Sequence, residues 1–189
     1  LEGPYLGQSP PGNEPVPFAP GIVGGHLKLH SSISFSPDGL SAAWSLMVPP
    51  RESGYSTDRV MMTEKVDGRW TYPAASGENG RDVPFFSPDG RRLYYLSRNP
   101  AYDGGPVKEN IWFIEREGSG WSAPRPLDRA VNDLPLHWQF SLDSKGNLYM
   151  GTGDGRIMVS ESKNGIYKPA IEFSKLSGNE TVGGGSPFI

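Results

Sequence analysis

Histidine can act as an acid, a base or a metal ligand. It occurs three times in this chain, as His26, His30 and His137. Imidazole nitrogens bind zinc, but the chain contains no cysteine, and its histidines follow no His-Glu-x-x-His or comparable spacing. His26 and His30 are four residues apart, which brings side chains together on a helix, whereas this stretch has the character of an extended segment. The sequence therefore predicts no metal site and no cofactor.

Catalytic carboxylates and phosphate loops are also not indicated. Asp38, Asp89 and Asp143 recur at comparable places, but acid–base catalysis needs two carboxylates close together, and we interpret these three as turn-capping residues. Residues 151–155 are glycine-rich, yet a phosphate loop is followed by a helix, and residues 156–159 have the pattern of a strand. No catalytic residue is predicted, and a protein that is not an enzyme is favoured.

One short sequence occurs twice and organises the chain. Phe-Ser-Pro-Asp-Gly stands at residues 35–39 and again at residues 86–90. Serine suits the first position of a type I turn, proline fixes the second, aspartate bonds locally at the third, and glycine takes a positive φ. We therefore expect a hairpin turn at each copy and a repeated unit. A third turn, at residues 142–146, is expected to be two residues longer.

The segments after each copy predict four short antiparallel strands per repeat, separated by Gly- and Pro-rich turns. The predicted fold class is all-β, a β-propeller with about three four-stranded blades. Regularly placed aromatic residues indicate a core rather than a sugar-stacking surface. We expect the following to be mostly buried: Phe35, Trp44, Phe86, Tyr95, Trp112, Trp121, Phe140 and Tyr149.

The expected organisation follows from these repeats. A Pro- and Gly-rich extended arm occupies residues 1–29 and includes the outer strand of a closing blade at residues 16–18. Three blades follow, at residues 30–80, 81–133 and 134–180. Residues 181–189 begin the first strand of a next blade.

The repeats resemble a known family of propeller sequences. Leu-Tyr-Tyr at residues 93–95, Asn-Ile-Trp at 110–112 and Gly-Trp at 120–121 are similar to the WD40-like, TolB-type repeats called PD40. The leader, at residues 4–8 and 18–23, resembles the segment that precedes such repeats in bacterial envelope proteins. The resemblance implies a six-bladed ring, of which this chain holds about three blades, and a periplasmic or cell-envelope location, although no signal peptide is visible.

In such a propeller the innermost strand of each blade lines a central channel. Alignment of the repeats collects five residues near one mouth of that channel, and these form the predicted ligand-binding site: His30, Arg81, Asp82, His137 and Trp138. Trp138 has no aromatic counterpart in the other repeats, which makes it the best candidate for a ligand contact. Alternatively, the polar residues solvate the channel mouth and pair with one another.

Composition limits the possible partners. The net charge of −3 offers no basic patch for nucleic acid, and no apolar run is long enough for insertion into a membrane. The sequence predicts a non-catalytic binding or scaffold propeller that recognises a protein or peptide, as TolB-like proteins do. The alternative is the gating propeller of a prolyl-oligopeptidase-like serine hydrolase, whose catalytic machinery lies in a separate α/β domain.

Three blades leave two open sides, so we expect further blades from one of two sources. Either the chain is a fragment of a longer one, which is the favoured expectation, or two copies close the ring as a homodimer.

Overall fold

The computed structural model describes residues 1–10, 12–49, 57–78 and 80–178. These residues form an all-β structure of antiparallel sheets with short helices. The chain divides into two compact units, Leu1–Pro84 and Phe85–Ile189. Within the described residues no helix has the length and apolar character needed to cross a membrane. The strand expected at residues 181–189 lies outside the described residues.

The first sheet belongs to unit 1, and its strands are β1 (Lys28–Leu29), β2 (Ser34–Phe35), β3 (Ser41–Val48), β4 (Thr57–Val66), β5 (Arg69–Trp70) and β6 (Ala74–Ala75). They pair in the order β1-β3-β4-β5, while β2 pairs with β3 and β6 with β4. The register of β3 and β4 runs from Ser41 opposite Glu64 to Val48 opposite Thr57. The sequence predicts strands at residues 42–46 and 59–63, and β3 and β4 contain these two segments.

The N-terminal arm packs on this first sheet. It contains a 3-10 turn at Tyr5–Gly7, and its Leu6 joins the buried cluster that contains Trp44 and Trp70. The indole Nε1 of Trp70 donates to the carbonyl of Gly3 at 2.9 Å, which ties the arm to β5. Residues 16–18, expected as an outer strand, form no strand.

The second sheet comprises β7 (Arg81–Phe86), β8 (Arg92–Ser97), β9 (Asn110–Glu117), β10 (Gly120–Trp121) and β11 (Arg125–Pro126). Its order is β7-β8-β9-β10, with β11 also paired to β9. The boundary between the two units falls inside β7, after Pro84.

The third sheet lies in unit 2 and follows the short helix α1 (Arg129–Asn132). Its strands are β12 (Leu136–Leu142), β13 (Leu148–Thr152), β14 (Ile157–Ser160) and β17 (Ile171–Glu172). Between β14 and β17, β15 (Ser162–Lys163) and β16 (Ile166–Tyr167) form a separate two-stranded hairpin, and helix α2 (Phe173–Ser177) follows β17. The sheet order is β12-β13-β14-β17. Asn164 and Gly165, both at positive φ, connect β15 to β16, as the Asn-Gly signal for a type I′ hairpin predicts.

The repeated Ser-Pro-Asp-Gly turns adopt the predicted geometry. In each turn the glycine N–H donates to the serine carbonyl, at 2.8 Å from Gly39 to Ser36 and 2.9 Å from Gly90 to Ser87. Both glycines have positive φ, 68° and 69°. Each serine hydroxyl donates to the carboxylate two residues on at 2.6 Å and accepts an N–H from the following strand. The side chains therefore close the turn that pairs the two strands.

The third turn is not longer, and the sequence alignment was wrong there. Gly146 N–H donates to the carbonyl of Asp143 at 2.9 Å, so the turn again spans four residues. Asp143 occupies the position of the serines and accepts the N–H groups of Lys145 and Asn147, each at 2.9 Å. A carboxylate can accept the N–H bond that the serine hydroxyl accepts in the other turns, so serine is dispensable at the first position of this turn.

The glycine-rich stretch after β13 is a fourth example of the same turn. Gly155 N–H donates to the carbonyl of Thr152 at 2.9 Å, and the Thr152 hydroxyl donates to Asp154 Oδ1 at 2.6 Å. The strand β14 follows directly, as expected, so this stretch does not open a helix and lacks the geometry of a phosphate loop.

Burial of the aromatic residues only partly follows the expectation. Trp44, Phe86, Tyr95 and Phe140 are buried, whereas Phe35, Trp112, Trp121 and Tyr149 are half-buried. The buried residues of β3 and β8 are consecutive rather than alternating, which is typical of strands covered on both faces. The four partly exposed residues lie on β2, β9, β10 and β13.

Replacement of Trp44 by alanine should lower the free energy of unfolding by about 3–5 kcal/mol, because the indole is fully buried and leaves a large cavity. Urea denaturation measures the loss. Tyr72→Ala is the matched control: Tyr72 is 96% exposed, and its loss should stay within about 0.5 kcal/mol. Equal effects of the two substitutions would contradict the packing described for β3.

The Asp143 turn should make stability depend on pH. Burial acts to raise the pKa of Asp143, but the bonds from Asn147 and Lys145 outweigh it and lower the pKa below its usual value. The charged form thus stabilises the fold above about pH 4, and this contribution is lost as the pH falls through the lower folded-state pKa.

Asp143→Asn should therefore be less stable than the parent at pH 7, and the difference should shrink below about pH 4. Urea midpoints across this pH range measure it, with the exposed Asp103→Asn as control. A stability difference that stays constant with pH would refute the role of the Asp143 charge.

Candidate functional site

Three side chains that can bind a metal converge in unit 1. His30 follows β1, Asp58 lies in β4, and Asp82 lies in β7. One ligating atom from each lies within 4.8 Å of the other two. The Nδ1 atom of His30 is 2.7 Å from Asp82 Oδ2 and 3.6 Å from Asp58 Oδ1. We call these three residues the His30 cluster.

Backbone hydrogen bonds hold the three residues in place. The N–H of His30 donates to the carbonyl of Ser45 in β3 at 2.9 Å, and the N–H of Gly80 donates to the carbonyl of Asp58 at 2.7 Å. The first bond extends the pairing of β1 with β3, and the second ties the start of β7 to β4. The cluster is therefore assembled by strand pairing between residues far apart in sequence.

A buried hydroxyl pair orients the carboxylate of Asp82. Its Oδ1 accepts from the Ser45 hydroxyl and from the N–H of Val83 at 2.7 Å. The Ser45 hydroxyl lies 2.7 Å from that of Ser31, and both serines are buried. Val83 has a φ of 48°, a strained value for a β-branched residue. The local backbone thus departs from regular geometry beside Asp82.

Ser45, His30 and Asp82 together supply a serine, a histidine and an aspartate but lack the geometry of a hydrolase triad. The Ser45 hydroxyl contacts the carboxylate of Asp82, whereas a nucleophilic serine must be hydrogen-bonded to the imidazole. One imidazole and two carboxylates are instead a donor set for a divalent cation.

A second polar group lies in unit 2, where β12 bulges. Leu136 pairs with Thr152 and Phe140 with Met150, so β12 carries extra residues between these pairs. A bulge changes the direction in which side chains point, compared with a regular strand. His137 and Trp138 lie in this bulge and are exposed, Trp138 by 64%.

The bulge is fixed by contacts with the start of β9. Trp138 has a φ of 69°, and its backbone N–H donates to Glu109 Oε2 at 2.7 Å. The imidazole of His137 stacks on the indole with 4.7 Å between ring centroids, and its Nδ1 is 3.7 Å from the same carboxylate oxygen. The two exposed rings thus lie against each other beside the Glu109 carboxylate.

Lys108 anchors the segment that leads into this bulge. Its Nζ donates to the carbonyls of Asn132 and Leu134, the latter at 2.9 Å, and to Asn110 Oδ1 at 3.1 Å. Burial lowers the pKa of Lys108, and the charge of Asp133 opposes this shift. The ammonium group therefore connects the residues after α1 to β9.

Four of the five predicted ligand-binding residues fall into these two groups, and Arg81 belongs to neither. His30 and Asp82 are in contact in unit 1, where the guanidinium of Arg81 donates to the carbonyl of Ser76 at 2.5 Å. His137 and Trp138 are in contact in unit 2. The sequence analysis missed Asp58, Ser45 and Glu109, because no motif or repeat position marks them.

A polar groove of about 560 Å³ also lies in unit 2, lined by the second repeated turn and by Arg92, Tyr94, Glu115 and Tyr167 among others. Glu115 accepts from Arg92 at 2.7 Å and from Arg125. Burial acts to raise the pKa of Glu115, but these two guanidinium groups outweigh it and lower the pKa. The charges of the groove are thus paired with each other, which favours a structural role.

The chain matches no protein-family model, and no curated protein matches it. Among solved structures it is similar to a chain of hydrazine synthase from Kuenenia stuttgartiensis, with 21% sequence identity and a TM-score of 0.45. The similarity covers 68% of this chain and 39% of that chain, so this protein spans about two-fifths of its neighbour's length. A likeness at this level carries no argument about function.

Asp82→Ala should lower the free energy of unfolding by about 1–3 kcal/mol, because it leaves the buried Ser45 hydroxyl and the Val83 N–H without their acceptor. Asp82→Asn retains a carbonyl oxygen at this place and should cost less. Urea denaturation in metal-free buffer measures both. Equal losses for the two variants would show that the acceptor role of Asp82 is unimportant.

Proposed function

We propose that this chain is part of a β-propeller that binds a protein or peptide without catalysing a reaction, in the manner of TolB-like proteins of the bacterial cell envelope. Two features support a propeller: each of the three larger sheets has a core of four antiparallel strands, and the same four-residue turn recurs in all three of them. A complete ring would take its other blades from more of the same protein or from a second copy.

The observation that carries the binding role is the exposed pair of His137 and Trp138. Tryptophan is enriched among the residues that dominate binding energy at protein interfaces. Here a bulge presents Trp138. The backbone N–H of Trp138 donates to Glu109, and its indole stacks on the imidazole of His137. Because the indole already lies against a neighbouring ring, covering it with a partner costs little additional side-chain entropy of Trp138. An exposed indole placed in this way is suited to binding a protein or peptide partner.

The hydrolase alternative stays a prediction. Its catalytic machinery would lie in a separate α/β domain, so the geometry of the described residues does not bear on it. The exposed aromatic pair is compatible with a gating propeller, but no contact in either unit specifically favours that role.

Trp138→Ala tests the proposal. Envelope extract from a bacterium is passed over the immobilised chain, retained peptides and proteins are identified by mass spectrometry, and the affinity of each purified candidate is measured. The substitution should weaken binding of a genuine partner at least tenfold, as expected for a residue at the centre of an interface.

Tyr72→Ala is the control, because Tyr72 is an aromatic residue of unit 1 that is even more exposed than Trp138. It should leave the affinity unchanged. Equal weakening by both variants would indicate nonspecific retention on exposed rings. If the Trp138→Ala variant binds with full affinity, the surface formed by His137 and Trp138 is not part of the binding site.

A further inference from the structure

We infer that unit 1 carries a binding site for a divalent transition-metal ion, formed by His30, Asp58 and Asp82. The inference does not depend on partner binding. It starts from the convergence of one imidazole and two carboxylates, brought from three separate segments to within 4.8 Å of one another. Strand pairing fixes their backbones, so the donors are gathered before any ion arrives.

The distances fit a small ion after a minor adjustment. Zinc binds nitrogen and carboxylate oxygen at about 2.0–2.2 Å, so two ligands of a tetrahedral site lie about 3.4 Å apart. His30 Nδ1 and Asp58 Oδ1 are 3.6 Å apart. His30 Nδ1 and Asp82 Oδ2, at 2.7 Å, must separate by about 0.7 Å to reach the ligand spacing. An ion at this place would replace the proton that the imidazole and carboxylate share.

The surroundings of Asp82 resemble the support that metal-binding carboxylates require. The Ser45 hydroxyl and the Val83 N–H both donate to Oδ1, which leaves Oδ2 directed at His30. Hydrogen bonds of this kind orient a ligand and set its basicity, and their loss typically costs tenfold to a hundredfold in metal affinity. Ser45 is completely buried, so water cannot readily take its place.

The donor set selects the class of ion. Imidazole with carboxylates suits zinc and its neighbours in the first transition series, whereas magnesium and calcium prefer oxygen ligands alone. The side chain of His30 is 38% exposed, which leaves room for water at a fourth position.

Titration of the chelator-stripped chain with Zn²⁺ by isothermal calorimetry tests the inference, with Mg²⁺ for comparison. Cobalt absorption spectra report whether nitrogen and oxygen ligands surround the ion. We expect one Zn²⁺ site, at least tenfold weaker binding of Zn²⁺ by His30→Ala and Asp58→Asn, and weaker binding by Ser45→Ala. Mg²⁺ should bind much more weakly than Zn²⁺.

Matched controls lie within the same unit. His26→Ala removes an exposed histidine four residues away, and Asp67→Asn removes an exposed turn aspartate; both should bind Zn²⁺ as the parent does. If His30→Ala is poorly folded by circular dichroism, His30→Gln replaces it. Zn²⁺ should then raise the melting temperature of the parent but not that of the variant. Absence of a Zn²⁺ site in the parent, or equal loss in the His26 and His30 variants, would overturn the inference.

Discussion

The sheets depend on one local interaction, in which an oxygen-bearing side chain at the first position of a four-residue turn bonds the backbone around that turn. Ser36, Ser87 and Thr152 use a hydroxyl, and Asp143 uses a carboxylate. A glycine at positive φ follows three residues later in every case. Because register in a hairpin is set by its turn, these contacts determine which residues of neighbouring strands face each other.

The candidate sites occur where that regularity is interrupted. Val83 and Trp138 both adopt positive φ inside strands, a conformation that costs free energy and persists only when surrounding contacts enforce it. At Val83 the N–H bonds the Asp82 carboxylate, and at Trp138 the N–H bonds Glu109. In both places an acidic side chain stabilises a backbone that displays polar or aromatic groups.

The two sites differ from the groove in how their charges are satisfied. In the groove two arginines surround Glu115, so opposite charges balance within the structure. In the His30 cluster two carboxylates face one imidazole, and a bound cation would stabilise this arrangement further.

The sequence by itself determined the all-β class, the repeated turns and most of the strands, because these depend on residues close along the chain. It also singled out His30, Asp82, His137 and Trp138. Only the tertiary structure decided that Asp58 and Ser45 join the first two and that Glu109 holds Trp138. Those contacts arise from strand pairing and from a bulge in β12, and neither the distant partner of a residue nor an extra residue in a strand has a local sequence signal.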